Sequence, residues 1–202
     1  MQITDNILAI SCNSVDVKDL MSTEKRSNEE INRTLKSTGF YKLSSFRGLK
    51  INEVFIKIKD SLSIDIIEKI QNIDVLVTVT QSQTQRMPNL SSNLQDIFGI
   101  KQSIVAYDII DGCNGFVKAA HLINSMLRKG QTGLIVSGEM NSMLTERSEL
   151  STKILFGDGF ALTLFDECGP KAKSIIHQDG TSGQFIKAEF SNPVLEMDGF
   201  EV

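Results

Sequence analysis

The chain has 202 residues, 41% of them hydrophobic and 23% charged, with a formal net charge of −4 at pH 7. This is a globular balance with enough length for one sizeable core, and the slight acidic excess argues against a nucleic-acid binder. Three cysteines (Cys12, Cys113, Cys168) and two histidines, far apart and without a C-x-x-C spacing, offer neither a disulfide framework nor a metal-ligand set. No apolar run is long enough to span a bilayer, and Met1 to Asp5 lacks the basic and apolar regions of a signal peptide. The expectation is a reduced, cytoplasmic protein with no membrane partner.

In chain order, Asn6 to Ser11 reads as a first strand. Met21 to Thr38 is rich in Ser, Glu, Lys and Asn and reads as a surface helix or a loop; residues 21–50 are taken as a polar surface segment. Val54, Ile58, Leu62, Ile66, Ile67 and Ile70 recur at helical spacing, with a break expected at Ser61-Leu62-Ser63. Asp74 to Thr80 is continuous, β-branched and apolar, as for a strand buried on both faces. Gln81 to Pro88 is a polar loop. Asn89 or Ser91 would cap a short helix, Leu90 to Phe98, ended by Gly99.

Ser103 to Ile109 reads as the next buried strand, and Cys113 to Lys129 as a helix stopped by Gly130. Strands follow at Leu134 to Ser137 and, after a polar excursion from Ser142 to Thr152, at Phe160 to Phe165. Further strands are expected at Ser174 to His177 and Gln184 to Phe190, with a turn at Asp179 to Gly183. Strands that alternate with helices and then follow one another describe an α/β sheet that is mixed at one edge.

Chemistry centres on Cys113. It lies between Gly112 and Gly115, where a strand turns into a helix. The first N–H groups of a helix lack partners and favour negative charge, and the thiolate is the reactive form of cysteine. Cys113 is therefore read as a nucleophile. Phe156-Gly157-Asp158-Gly159 is a tight turn in which Asp158 would accept hydrogen bonds from the loop's own backbone. His121 falls two turns into the helix after Cys113, and His177 ends a strand; neither has the spacing of a base. Cys12 and Cys168 have no supporting context.

Tyr107-Asp108 with Gly112-Cys113-Asn114-Gly115-Phe116, followed by Phe156-Gly157-Asp158-Gly159, resembles 3-oxoacyl-[acyl-carrier-protein] synthase III, a condensing enzyme of the thiolase superfamily. Gly39, the loop from Thr80 to Pro88, Leu134 to Glu139, His177 to Gly180 and Met197 to Val202 also resemble family segments. The resemblance implies a thiolase-like half-fold, with a mixed, mostly parallel five-stranded sheet and helices on both faces, in a single domain over 1–202. It implies that Cys113 accepts an acyl group from a coenzyme A or carrier-protein thioester, with no cofactor and no metal. Met87 would reach across a dimer interface into the partner's acyl pocket, and Phe156 would lie near the pocket wall. Gly112, Gly115, Gly157, Asp158 and Gly159 would form the structural turns at the site.

The family's catalytic His and Asn belong to motifs of its C-terminal half, which have no counterpart in these residues. They are expected from a second-half chain. The alternative is a non-catalytic subunit or pseudoenzyme that serves dimerisation and binding. The family's adenine-holding Trp has no counterpart in Glu29 to Gly39, where Ile31 and Lys36 stand, which favours a carrier-protein donor over coenzyme A. Expected partners are acyl carrier protein and either a second-half chain or a second copy. The covered face would include Phe116, Ala120, Ile123 and Leu127.

Overall fold

The computed structural model describes residues 2–10, 13–146, 148–166, 173, 175–177, 179–181, 186–187 and 196–197. Along the chain the elements are β1 Gln2–Ile10, β2 Ser14–Asp16, α1 Val17–Thr23, α2 Asn28–Thr38, β3 Lys42–Ser44, α3 Ile51–Ser61, α4 Ile64–Gln71, β4 Val75–Val79, α5 Leu90–Phe98 and β5 Val105–Ile109. Then come α6 Gly115–Met126, β6 Thr132–Glu139, α7 Asn141–Leu144, α8 Leu150–Lys153, β7 Gly159–Asp166, β8 Ile186–Lys187 and β9 Glu196–Met197. They fall into two compact units. The first comprises residues 1–9, 48–139 and 160–175, and the second 10–47, 140–159 and 176–202.

The first unit is built on a mixed, largely parallel five-stranded sheet of order β1-β7-β6-β4-β5. β4 is parallel to both neighbours, with Val75 opposite Val105 on β5 and Gly133 on β6. All five β4 residues are buried, as its unbroken apolar sequence requires. Side chains alternate across a strand, so Val75, Val77 and Val79 share one face. They pack there with Ala119 and Ile123 of α6, Leu127, Ile135 of β6 and Phe165 of β7. Each such aliphatic side chain contributes about 1.5–3 kcal/mol by leaving water. α5 packs against β4 and β5. The chain leaves β4 for β5 on one side and returns past β4 to β6 on the other, so right-handed crossovers put α5 and α6 on opposite faces.

The long Ile/Val-rich stretch divides where Ser61-Leu62-Ser63 interrupts it, with Leu62 extended between α3 and α4. β5 differs from the buried strand expected at 103–109. It is the edge of the sheet among the described residues, and Val105 and Tyr107 are 44% and 43% exposed. An apolar sequence does not reveal which strand lies inside the sheet, and β4 does, between β6 and β5. The face expected to be open is corrected in part. Ile123 and Leu127 lie on the sheet side of α6 and are fully buried. Phe116 is exposed, together with Val117, Tyr107 and Ile110.

In the second unit the polar stretch forms a helix. At α2, Glu30 N–H donates to Ser27 Oγ (3.3 Å) and Ser27 N–H donates to Glu30 Oε2 (2.9 Å), a reciprocal capping box. Gly39 closes α2 with φ 70°. These hydrogen bonds hold the fully exposed Glu30 carboxyl below the ordinary value. Val17, Met21, Ile31, Leu150 and Ile154 form this unit's core, so residues 21–50 contribute buried side chains as well as polar surface. β2 and β3 pair antiparallel, with Val15 opposite Leu43.

Residues 175–177 carry no strand, and Ile175 is fully exposed. Of the strand expected at 184–190, Ile186–Lys187 pairs antiparallel with Glu196–Met197. Cys12, Cys168, Gln178, Ser182 and Gly183, and the rest of the closing segments, lie outside the described residues. Among the described residues no helix is long and apolar enough to cross a membrane.

Candidate active site

Cys113 is a free, exposed thiol in the turn between β5 and α6. The turn is closed by the Gly115 N–H donating to the Gly112 carbonyl (2.9 Å). Asp111 Oδ1 accepts the Gly112 N–H (3.0 Å), and the Lys118 ammonium donates to Asp111 Oδ2. α6 begins at Gly115, two residues later than the helix expected from Cys113. Among the described residues the Cys113 N–H has no hydrogen-bond partner.

Two glycines let this turn sit against the sheet. A Cβ on Gly115 would stand 2.4 Å from Val79 Cγ1, and one on Gly112 would stand 3.3 Å from Gln81 Oε1. The cysteine turn therefore rests on the C-terminal end of β4 and the start of the following loop. This is the carboxyl edge of a parallel sheet at the point where strand order reverses. There the two connections part to opposite faces and leave a crevice.

Two carboxylates hold the loop that leaves β4. Glu139, at the end of β6, accepts from Thr80 Oγ1 (3.0 Å), from the Gln81 N–H (2.8 and 3.0 Å) and from Ser82 Oγ (2.5 Å). Burial pushes the Glu139 carboxyl up, and these hydrogen bonds offset only part of the rise. Asp108 on β5 accepts the first two N–H groups of α5, from Leu90 (2.7 Å) and Ser91 (3.0 Å). Gln83 Nε2 also donates to it (2.9 Å). The cap expected from Asn89 or Ser91 thus comes from a neighbouring strand, where a full negative charge meets the helix dipole. Asn89 occupies the N-cap position without a side-chain cap. Met87 is 85% exposed in this loop, before a cis bond to Pro88.

Phe156, Gly157, Asp158 and Gly159 belong to the second unit up to the first residue of β7. Asp158 is 2% exposed. Its carboxylate accepts from the Phe46 N–H (2.6 Å), the Ser142 N–H (2.7 Å) and Ser142 Oγ (2.6 Å). The hydrogen bonds expected from the loop's own backbone come instead from remote segments. Ser44 Oγ donates to the Asp158 carbonyl, and the Asp158 N–H returns a bond to the Ser44 carbonyl (2.9 Å). Gly157 is needed because a Cβ there would lie 3.0 Å from Ser44 Oγ and 3.2 Å from its backbone nitrogen. Phe156 is half-buried, and Gly159 has open space around it.

The fold therefore groups Gly112, Cys113 and Gly115 with Asp111, Lys118, Val79 and Gln81. It groups Gly157 and Asp158 with Ser44, Phe46 and Ser142. His121 lies within α6, and His177 is exposed outside any regular element. Glu139 and Lys118 are additions for which the sequence reading gave no role, while the acidic Asp111 before Cys113 was legible without its partner. Among the described residues, no group of three or more His, Cys, Asp or Glu side chains is placed to hold a metal ion.

A family model described as 3-Oxoacyl-[acyl-carrier-protein (ACP)] synthase III matches residues 107–182. The beta-ketoacyl-[acyl-carrier-protein] synthase III of Streptococcus uberis is 29% identical over 160 residues, which is 71% of this chain and 48% of that protein. The Lactobacillus helveticus enzyme of the same name is 33% identical over 130 residues, 61% of this chain and 39% of that protein. The chain thus spans about half, or less, of the curated relatives it matches. Among solved structures, a 3-oxoacyl-(acyl-carrier protein) synthase from Burkholderia xenovorans aligns with TM-score 0.79 and 21% identity, covering 98% of this chain and 62% of that one. The 3-oxoacyl-[acyl-carrier-protein] synthase III of Aquifex aeolicus aligns with TM-score 0.77 and 20% identity, covering 98% and 64%. The chain carries the thiolase-like α/β fold of these proteins and, over residues 107–182, is similar in sequence to 3-oxoacyl-[acyl-carrier-protein] synthase III.

Proposed function

We propose that the chain is part of a condensing acyltransferase in which Cys113 accepts an acyl group from a carrier-protein or coenzyme A thioester. The observation that carries this reading is the exposed Cys113 thiol, with an unengaged backbone N–H, at the carboxyl edge of the parallel sheet. The names of its relatives, beta-ketoacyl-[acyl-carrier-protein] synthases III, support condensing chemistry. Attack of the Cys113 sulfur on the thioester carbonyl forms a new S–C bond and a tetrahedral oxyanion. The Cys113 N–H would serve as one donor to that oxyanion. Collapse breaks the donor's C–S bond, and the departing thiolate takes up the proton released by Cys113. The covalent intermediate divides one difficult transfer into two easier ones.

In this reading residues 1–202 act as one thiolase-like domain, because the chain passes repeatedly between the two units. Phe156 lies near the wall of the acyl pocket, and Met87 reaches across a dimer interface into the acyl pocket of a second copy. A second-half chain supplies the His and Asn for condensation, with acyl carrier protein as the donor and a second copy as a further partner. The test is intact-mass analysis of the purified chain after incubation with short- and medium-chain acyl-coenzyme A and the matching acyl carrier proteins. The expected result is one acyl adduct, mapped to Cys113 and absent from Cys113→Ala. No adduct with any donor overturns acyl transfer and supports a non-catalytic role.

A further inference from the structure

We propose that Asp111 and Lys118 form a charge clasp across the cysteine turn that sets the reactivity of the Cys113 sulfur. The proposal rests on the reading of Cys113 as a nucleophile. Asp111 stands two residues before Cys113, and Lys118 stands in the first turn of α6. One carboxylate oxygen accepts the Gly112 N–H and the other takes the Lys118 ammonium. The Lys118 N–H in turn donates to the Asn114 carbonyl (3.2 Å). The ion pair thereby links the two ends of the 111–118 segment, which includes Cys113. Asp111 is also packed over the helix start, since a Cβ on Gly115 would lie 3.3 Å from its own Cβ.

This differs from an ordinary surface pair. The two side chains are only 26% and 34% exposed, so water screens them incompletely. One partner lies ahead of the helix, so the pair bridges the turn instead of decorating one helix face. In general a carboxylate beside a thiol disfavours the thiolate, while an ammonium favours it. Paired, each charge offsets the other's pull on the turn. The arrangement therefore lets the turn use Asp111 as a backbone acceptor without the electrostatic penalty that a lone carboxylate would place on the sulfur. Asp111 and Lys118 are positioning residues in this account; Cys113 alone bonds to the acyl group.

The experiment compares the whole chain with Asp111→Asn, Lys118→Met, the double variant and Lys118→Arg. The rate of Cys113 alkylation by iodoacetamide, a neutral probe, is measured at one pH in low salt. Adducts are assigned to Cys113 by peptide mapping. Removing the carboxylate leaves the ammonium unopposed and is expected to speed alkylation about three- to tenfold. Removing the ammonium is expected to slow it by a similar factor. The double variant and Lys118→Arg should return close to the parent rate, and the differences should shrink in 1 M salt. A merely structural clasp moves both single variants in the same direction, without salt sensitivity, and that result overturns the proposal. If alkylation follows the expected signs while no variant is acylated by any thioester, the clasp stands and the acyl-transfer reading falls.

Discussion

Gly115 opens α6 directly against Val79, the last residue of β4. A Cβ on Gly115 would stand 2.4 Å from Val79 Cγ1, a distance that no pair of carbon side chains tolerates. The contact decides how closely the cysteine turn approaches the sheet. Gly115→Ala is therefore expected to destabilise the chain by about 1–3 kcal/mol through overpacking. It should also displace Cys113 and slow its alkylation. Val79→Ala in the same chain should recover part of the alkylation rate and show a coupling energy of at least about 0.5 kcal/mol. Urea unfolding of the four chains of this cycle measures both effects. A Gly115→Ala chain as stable as the parent would contradict the close approach.

Asp158 holds the second unit together from inside. Its buried carboxylate gathers Phe46 and both donors of Ser142. Asp158→Ala leaves these donors without an acceptor, at an expected loss of at least about 2 kcal/mol. Asp158→Asn should keep most of the loss, because its amide nitrogen turns a donor toward a donor. Amide hydrogen exchange at Phe46 and Ser142 should accelerate in both variants. Unchanged protection at those two positions would refute the structural role.

Glu139 makes stability depend on pH in a defined direction. Its folded carboxyl titrates above the ordinary glutamate value of 4.5 because it is desolvated at the end of β6. Between 4.5 and the raised value, the native state holds a proton that the unfolded chain has lost. The contribution of this group is therefore full below 4.5 and is lost as pH rises through the folded value. Chemical unfolding from pH 4 to pH 7 should show a decline in the parent that Glu139→Gln lacks. Parallel stability curves for the two chains would rule this out.

Much of the local architecture is legible without coordinates. The V-L-V-T-V run of β4 announces a strand buried on both faces, and Ser61-Leu62-Ser63 marks the break between α3 and α4. Gly39 and Gly99 adopt the left-handed conformation that closes helices. One signal was present and went unused. Ser27 followed three residues later by Glu30 is a capping box, and it identifies α2 within the polar stretch. Pairs such as Asp108 with Leu90, Asp158 with Phe46, and Glu139 with Gln81 have no such signal. A carboxylate reads alike whether it is solvated or buried against distant amides.

By itself the sequence determined where the chain turns, which runs must be buried, and that Cys113 sits between glycines at a strand-to-helix junction. These are local matters, governed by periodicity and by the φ,ψ freedom of single residues. Only the tertiary structure decided that β4 lies inside the sheet and that β5 is its edge among the described residues, since this depends on which strands pair with each. It also decided which carboxylates are structural. Asp108 caps a helix begun eighteen residues earlier, and Asp111 meets Lys118 across the cysteine turn. Such pairings depend on how segments cross in space, and that is settled by burying the sheet faces as a whole.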